Sequence, residues 1–165
     1  MEFELRDWTY EDIDDLIYLC NHADRKYLSN RMPYPYTKED ALWYLDYISK
    51  ENSLFKAIIV DGRCIGNISI EGMGDVYCKD AEIGYHLLPD YHNQGIMSEA
   101  TAMICKLAFE CLDIVRITGL VYEPNIGSRK VLEKNGFVLE GLKKRAIYKD
   151  NDYYNLCIYG KCRDE

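Results

Sequence analysis

Two side chains in this sequence, Glu82 and Ser128, have the chemistry of a proton acceptor and a hydrogen-bond donor. Glu82 lies in an apolar run that favours a β-strand, and an apolar setting beside Ile83 and Tyr85 raises the pKa of a carboxyl group. Such a carboxylate can deprotonate an amine, which titrates at about 8 as an α-amino group or about 10 as a lysine side chain. Ser128 opens a predicted helix, where its hydroxyl can contact a ligand at the positive end of the helix dipole. A solvent-facing glutamate at a strand end is the alternative for Glu82.

The predicted helix that carries Ser128 has capping residues at both ends. Asn125 can cap its first N–H groups, and Asn135 with Gly136 forms a left-handed stop before the apolar Phe137. Asn125 and Ser128 are three residues apart, so they share one face at the positive end of the helix dipole. The spacing indicates either a well-capped surface helix or a helix whose first turn contacts a ligand.

A second polar loop lies upstream, between a strand-like run that ends at Leu88 and a strongly periodic helix. Apolar residues at positions 100, 103, 104, 107, 108 and 111 predict a helix through Leu112. Gly95 allows the backbone to approach a ligand there, and the free N–H groups of the first turn favour an anion, phosphate above all. An ordinary strand-to-helix turn is the alternative. The residues of this predicted anion site are His92, Asn93, Gln94, Gly95, Ile96, Met97 and Ser98.

Together, the two segments resemble the GNAT superfamily of acetyl-CoA-dependent N-acetyltransferases. Residues 81–87, followed by the Gly95 loop, are similar to the acetyl-CoA strand and pyrophosphate loop of that family. Residues 125–137 are similar to its second conserved block, in the form typical of the RimJ/RimL-like branch that acetylates ribosomal protein N-termini. The resemblance therefore implies an acetyltransferase with acetyl-CoA as cosubstrate and with a peptide N-terminus or a small-molecule amine as acceptor.

The resemblance also implies roles for individual residues. The amine attacks the thioester directly, with Glu82 as the base and Ser128 as the group that protonates the CoA thiolate. The residues themselves leave two alternatives for the base, a water held by backbone carbonyls and Glu123 at the end of the preceding strand. Backbone N–H groups near Leu87 and Leu88 stabilise the oxyanion, and no cysteine nucleophile is needed. The implied cofactor-binding set comprises Leu87, Leu88, His92, Asn93, Gln94, Gly95, Ile96, Met97, Ser98, Asn125, Ser128 and Arg129.

The sequence departs from the family pattern at several positions. His92 and Asn93 stand where this branch has Trp-Gly, although Asn tolerates a positive φ well. Met97 replaces a small residue, Leu132 replaces a tyrosine that many relatives use as general acid, and Asn155 replaces an acid in the last hairpin. Two function classes therefore stay open: an active N-acetyltransferase, or a catalytically silent acyl-CoA-binding sensor or regulatory domain.

Composition narrows the class of protein. The chain has 165 residues, 48% of them hydrophobic, and can bury a core without disulfides or metal. No apolar run approaches the ~20 residues of a membrane span, and the Glu-rich amino terminus lacks the basic character of a signal peptide. We therefore expect a soluble cytoplasmic protein with no membrane partner, and a homodimer is compatible with it. Seven cysteines and three histidines have no zinc-site spacing, so we expect buried free thiols and no metal.

The net charge of −8 argues against nucleic-acid binding and suits cationic amines. Its uneven distribution suits an enzyme that holds a polyanionic cofactor at one end and an amine at the other, and chance clustering on a solvated surface explains it equally well. The acidic group comprises Glu11, Asp12, Asp14 and Asp15, and the basic group comprises Arg129, Lys130, Lys134, Lys143, Lys144 and Arg145.

Strand and helix signals alternate along the chain without a linker or repeat, which predicts one domain over residues 1–165. Capping boxes at Thr9 and Thr37 open two early helices, and Asp61-Gly62 predicts a hairpin. The α+β order matches the GNAT α/β/α sandwich with a mixed, mostly antiparallel central sheet, which the resemblance implies. The predicted strands are 3–6, 54–60, 64–70, 76–88, 114–122, 137–147 and 152–161.

Overall fold

A seven-stranded sheet forms the centre of the computed structural model, which describes residues 1–164. The strands are β1 (Glu4–Asp7), β2 (Leu54–Val60), β3 (Arg63–Gly72), β4 (Asp80–Leu87), β5 (Arg116–Tyr122), β6 (Val138–Lys149) and β7 (Asp152–Cys162). Their order across the sheet is β1-β2-β3-β4-β5-β7-β6. Every neighbouring pair is antiparallel except β4 and β5, which are parallel.

Four α-helices within the described residues cover the two faces of this sheet. They are α1 (Ile13–His22), α2 (Lys38–Tyr47), α3 (Ile96–Cys111) and α4 (Ile126–Lys134). Alternation along β2 separates two apolar cores, because Ala57 and Ile59 pack with α1 and α2 whereas Ile58 and Val60 pack with α3. The predicted α+β sandwich with a mixed, mostly antiparallel sheet is therefore confirmed.

Turn and cap residues act as the sequence indicates. Thr37 opens α2 with a capping box: its side chain accepts from the Asp40 N–H at 3.3 Å, and the Asp40 carboxylate accepts from the Thr37 N–H at 2.9 Å. Asp61 and Gly62 join β2 to β3 with φ values of 49° and 78°. These left-handed values are typical of an Asp-Gly hairpin turn.

One predicted strand begins later than expected. The stretch from Val76 was expected to extend into β4, but Asp75–Tyr77 forms a 3₁₀ turn and the strand starts at Asp80. Asp75 has a φ of 57°, so the chain turns there and cannot continue a ladder. The apolar residues of this stretch are consequently exposed at the surface.

The parallel strands β4 and β5 are paired over only the first part of their length. Their last register pair is Ile83 opposite Gly119. Beyond it, β4 stays paired with β3 as far as Leu87, and β5 stays paired with β7 as far as Tyr122. The two strands therefore separate toward their carboxyl ends, and a gap opens in the middle of the sheet.

The helices α3 and α4 follow β4 and β5 in the chain, so both begin at this gap. α4 sits directly on β5, because a Cβ atom at Gly119 would lie 2.7 Å from Leu132 Cδ1. The Asn135 side chain donates to the Ser98 carbonyl at 3.0 Å, which joins the end of α4 to the start of α3. Gly136, with a φ of 81°, ends α4 as predicted.

The seven cysteines are free, but they are not uniformly buried. Cys78 and Cys111 are exposed, so the expectation of buried thiols is wrong for these two. Cys78 follows the 3₁₀ turn before β4, and Cys111 ends α3 on its outer side, where no element covers them. Among residues 1–164, no helix is both long and apolar enough to span a membrane, and no cluster of metal-ligating side chains is found.

We expect Gly119→Ala to destabilise the protein by about 1–3 kcal/mol, because the added methyl group overpacks the contact with Leu132. Denaturant unfolding measures this change. Gly141→Ala is the matched control, since a Cβ there meets no atom within 4 Å and the change should stay within about 0.5 kcal/mol. Equal stability of the two variants would contradict the close seating of α4 on β5.

Candidate active site

A cleft of about 1040 Å³ lies where β4 and β5 separate. Because side chains alternate along a strand, Glu82 and His86 face the α1–α2 side of the sheet, whereas Ile83 and Tyr85 face the α3–α4 side. The cleft is thus bordered by groups from both faces. The predicted site residues that line it are Glu82, Leu87, His92, Asn93, Gln94, Gly95, Ile96, Met97, Ser98, Asn125 and Ser128.

The loop before α3 has a defined backbone shape. Asn93 and Gly95 have φ values of 60° and 80°, so each adopts the left-handed conformation. The His92 Nε2 atom lies 3.1 Å from the Leu87 carbonyl oxygen, and Gln94 Nε2 donates at 2.9 Å to a carbonyl of the preceding turn. Asn93 therefore adopts the positive φ that asparagine tolerates well, and His92 fixes the loop to the end of β4.

The first turn of α3 has main-chain N–H groups that are free to bind a ligand. The Glu99 N–H donates to the Gly95 carbonyl at 3.2 Å as the first bond of the helix. The N–H groups of Ile96, Met97 and Ser98 precede that bond, so the helix provides them with no acceptor. Met97 packs its side chain into the apolar core at 9% exposure, and its bulk therefore lies beneath the turn. This end of α3 can bind a phosphate group.

Only part of the predicted charge asymmetry is found at the cleft. Lys130 and Lys134 of α4 line it and can contact a polyanion. On the acidic side, Asp12 is buried in a pair with Arg6 at 2.7 Å, and this guanidinium holds the pKa of the Asp12 carboxyl at about 2. Asp15 binds an arginine of β3 at 2.9 Å. These two acids attach α1 to the sheet, so they are removed from any acceptor-facing surface.

Ser128 occupies the first turn of α4. The Asn125 Oδ1 atom accepts a hydrogen bond from the Ser128 N–H at 3.3 Å, which is the predicted cap and leaves the amide nitrogen of Asn125 for a ligand. The Ser128 Oγ atom lies 2.8 Å from the Tyr85 phenol oxygen. Burial raises the pKa of Tyr85 to about 12, so its hydroxyl stays protonated.

Arg129 is turned away from the cleft. Its Nε atom donates to the Tyr159 hydroxyl at 3.0 Å and its Nη1 atom to the Glu123 carbonyl at 3.2 Å. One residue advances a helix by about 100°, so the neighbour of Ser128 points toward β7. We therefore correct the predicted cofactor set by removing the Arg129 side chain.

Leu88 also leaves that set. Its N–H donates to the Ile65 carbonyl at 2.9 Å and is used by the pairing with β3. Main-chain groups alternate in direction along a strand, so the Leu87 N–H points to the opposite side, toward the gap. Leu87 lies beyond the last pair between β4 and β5, and its N–H is therefore the donor that can meet an oxyanion.

Glu82 lies on the α1–α2 side of the cleft. Burial raises the pKa of its carboxyl group, Glu71 opposite it on β3 raises it further, and the positive charge of Arg31 opposes both effects. Glu71 itself accepts hydrogen bonds from the Tyr47 hydroxyl at 2.8 Å and from Lys50 at 3.0 Å. A carboxylate with a raised pKa is a stronger proton acceptor, so Glu82 is suited to act as a base.

A wall that was not predicted from the sequence closes the α1–α2 side of the cleft. Residues 24–30 form this wall, and the Tyr27 ring lies 5.3 Å from the Tyr122 ring and 6.4 Å from the Tyr154 ring. The buried Lys149 of β6 donates to two carbonyls of the same loop. These contacts join distant parts of the chain, and residues 24–30 carry no motif that could have indicated them. The contact of Tyr85 with Ser128 was missed for the same reason.

Comparison with known proteins identifies the family. A family model described as "Acetyltransferase (GNAT) domain" matches residues 2–138. The chain belongs to the GNAT acetyltransferase family. This GNAT chain is 30% identical over 169 aligned positions to the uncharacterized N-acetyltransferase YnaD of Bacillus subtilis (strain 168), across 99% of this chain and 92% of that protein.

Two further proteins are similar to this chain. The ribosomal-protein-serine acetyltransferase of Escherichia coli (strain K12) is 31% identical over 107 positions, which is 65% of this chain and 59% of that protein. The structure of RimL, a ribosomal alpha-N-protein acetyltransferase in complex with coenzyme A, superposes with a TM-score of 0.84 at 22% identity, over 98% of this chain and 94% of that one. The expected GNAT fold is thereby confirmed.

Leu132 explains how this GNAT chain differs from relatives with a tyrosine at that position. Its side chain is 1% exposed and packs against β5, so α4 provides no acidic hydroxyl there. Ser128 and Tyr85 place two hydroxyl groups in contact with each other beside the cleft on this face.

We expect Gly95→Val to reduce CoA affinity by about tenfold or more (~1.4 kcal/mol), because a β-branched residue disfavours the left-handed backbone that positions the N–H donors. Calorimetric titration with CoA measures this effect. Gly62→Val is the matched control: Gly62 has nearly the same φ, 78°, and also lies in open space, but it is in the β2–β3 hairpin. Both variants should lose similar stability, and only Gly95→Val should lose affinity. Unchanged CoA binding by Gly95→Val would refute the phosphate-loop assignment.

Proposed function

We propose that this GNAT protein transfers the acetyl group of acetyl-CoA to a primary amine by direct attack in the cleft between β4 and β5. One observation carries the proposal: the anion-binding turn of α3, the Ser128 hydroxyl and the Glu82 carboxylate border the same cleft. These are the three groups that the reaction needs, namely a holder for the cofactor, a partner for the leaving thiolate and a base for the amine.

The loop and the two helix starts suit the shape and charge of acetyl-CoA. The main-chain donors of residues 96–98 would hold its pyrophosphate, and Lys130 and Lys134 would balance the negative charge. A Cβ atom built at Gly95 meets no atom within 4 Å, so there is room for phosphate oxygens next to the backbone. The amide nitrogen of Asn125 would bind the pantetheine arm.

The reaction begins when Glu82, directly or through a water, takes a proton from the ammonium group of the acceptor. The amine nitrogen then attacks the thioester carbon, and the Leu87 N–H stabilises the negative oxygen that forms. Collapse of this adduct breaks the carbon–sulfur bond, with Ser128 next to the departing sulfur, and the nitrogen loses its second proton to Glu82 or to water. Glu123, the alternative base, accepts from the Asn155 side chain at 3.1 Å and does not line the cleft, so Glu82 is favoured.

The acceptor favoured by the chemistry is an α-amino group. It titrates near 8, about two units below a lysine side chain, so less work is needed to deprotonate it at neutral pH. Two relatives, the RimL protein and the ribosomal-protein-serine acetyltransferase, are named for protein acceptors, which supports a peptide N-terminus over a small-molecule amine. We place this reaction in the cytoplasm.

The alternative of a catalytically silent acyl-CoA sensor gains no support from the site. A domain that only binds the cofactor has no use for a carboxylate of raised pKa on one face of the cleft and a paired hydroxyl on the other. At the three positions that depart from the family pattern, Asn93 adopts a positive φ, His92 contacts the Leu87 carbonyl, and Met97 packs into the core. All three are therefore compatible with turnover.

Acetyl-CoA should stabilise the protein. At a hundredfold excess over the dissociation constant, a ligand that binds only the folded state adds ~2.7 kcal/mol to the free energy of unfolding. Thermal unfolding with and without acetyl-CoA measures the shift, with ATP as a control polyphosphate. A melting temperature that acetyl-CoA and CoA leave unchanged would contradict the proposed cosubstrate.

Glu82→Gln should lower the turnover rate about a hundredfold near neutral pH, because glutamine cannot accept the amine proton. The rate should recover as the pH rises and free amine becomes abundant. Ser128→Ala should cost about tenfold, and high pH should not rescue it. CoA release with a panel of peptides and amines measures both rates.

Glu71→Gln is the matched control for the base. It removes the neighbouring negative charge that raises the pKa of Glu82, so the acid limb of the kcat profile should move to lower pH while the enzyme stays active. Wild-type turnover by Glu82→Gln would assign the base to another group.

A further inference from the structure

The Tyr85 hydroxyl contacts two oxygen atoms of Ser128. The Tyr85 hydroxyl lies 2.8 Å from the Ser128 Oγ atom and 3.3 Å from the carbonyl oxygen of the same residue. A carbonyl oxygen only accepts hydrogen bonds, so the phenol hydrogen points toward Ser128. In the shorter contact either hydroxyl can be the donor. When Tyr85 donates to Oγ, the Ser128 hydrogen is free to point into the cleft that Ser128 lines.

Acidity limits what these two hydroxyls can do for a leaving thiolate. A thiol titrates near 8.5 and a free phenol near 10, so transfer of a proton from Tyr85 to a thiolate is uphill. An aliphatic hydroxyl such as that of Ser128 is a still weaker acid. Hydrogen bonding to the thiolate, without transfer of the proton, has no such penalty, and hydrogen bonds to charged groups are the strong ones.

We propose that Tyr85 and Ser128 form a donor chain that holds the departing CoA sulfur as a hydrogen-bonded thiolate. Ser128 donates to the sulfur, and Tyr85 is a positioning residue that donates to Ser128 and so directs its hydrogen. This inference rests on the proposed acetyl transfer and gives Ser128 the role of an oriented donor in place of a general acid. Consecutive hydrogen bonds of this kind polarise and strengthen one another.

The step balances without any change of protonation on the chain. The electron pair of the oxyanion re-forms the carbonyl bond, the carbon–sulfur bond breaks, and its electron pair stays on the sulfur. The nitrogen gives up two protons, the first to Glu82 before the attack and the second to Glu82 or to water as the adduct collapses to the neutral amide. Both protons reach the solvent, Glu82 returns to its carboxylate form, and the CoA thiolate takes up a proton from solvent according to the pH. Tyr85 and Ser128 both keep their hydrogens throughout.

The surroundings of Tyr85 keep it in the donor form. Burial raises the pKa of its hydroxyl to about 12, and Cys105 of α3 and Tyr159 of β7 act in the same direction, while the bond to Ser128 opposes them. The phenol therefore stays protonated over the range in which a CoA thiol titrates. Leu132 is packed between α4 and β5 and has no hydroxyl group. The hydroxyls that would hold the leaving group therefore belong to Tyr85 on β4 and Ser128 at the start of α4.

The test is the acidity of CoA bound to the protein, followed through the ultraviolet absorbance of the thiolate during a pH titration. Bound to the wild-type protein, the CoA thiol should titrate at least about one pH unit below its value in free CoA, a tenfold gain in acidity. Tyr85→Phe and Ser128→Ala should each remove most of this shift, and the double variant should lose no more than Ser128→Ala alone. Tyr18→Phe, at an exposed position on α1, should leave it unchanged.

The outcomes separate the inference from the function on which it rests. A wild-type protein that does not bind CoA would overturn the proposed function. CoA that binds but titrates like free CoA would overturn the donor chain. A normal shift in Tyr85→Phe combined with its loss in Ser128→Ala would remove Tyr85 from the chain. Thermal unfolding checks that Tyr85→Phe is folded. If this variant does not fold, Ser128→Ala still decides whether the Ser128 hydroxyl holds the sulfur, because Ser128 lies at a half-buried helix start.

Discussion

The separation of β4 from β5 is the constraint on which the site depends. Pairing between them ends at Ile83 and Gly119, while each strand keeps its outer neighbour. The sheet thus opens without losing either half, and the Leu87 N–H, which would otherwise pair across to β5, is left for a ligand. Because the two strands are parallel, the helices that follow them both begin at this gap and direct their free N–H groups to one place. A paired sheet would have no such cleft.

Opposite faces of the sheet supply the two halves of the proposed chemistry. Glu82 lies on the α1–α2 side, where an amine would enter, and Ser128 with Tyr85 lies on the α3–α4 side, where the thiol would leave. Only a substrate that passes through the gap can contact both sets at once. This arrangement suits direct transfer from sulfur to nitrogen. No thiol of the described residues lines the cleft, which agrees with a reaction that uses no cysteine nucleophile.

Features that depend on local signals could be predicted from the sequence, and contacts between distant segments could not. Gly95, Asn125 and Gly136 were predicted correctly because turns and caps are set by a few adjacent residues. The Arg129 side chain was expected at the cleft but contacts Tyr159 of β7, because a resemblance to a motif does not give the rotation of one side chain about the helix.

The pairing of the strands could not be predicted from the sequence either. The register between β3 and β4 decides whether the Leu87 N–H or the Leu88 N–H faces the gap. No local sequence pattern specifies this register. The Tyr85–Ser128 contact and the wall formed by residues 24–30 likewise depend on how the sheet and helices come together. The most direct test of the account is a crystal structure of the protein with CoA. We predict the pyrophosphate at the N–H groups of residues 96–98 and the sulfur between β4 and β5, within hydrogen-bonding distance of Ser128 Oγ. A sulfur outside this gap would contradict the account.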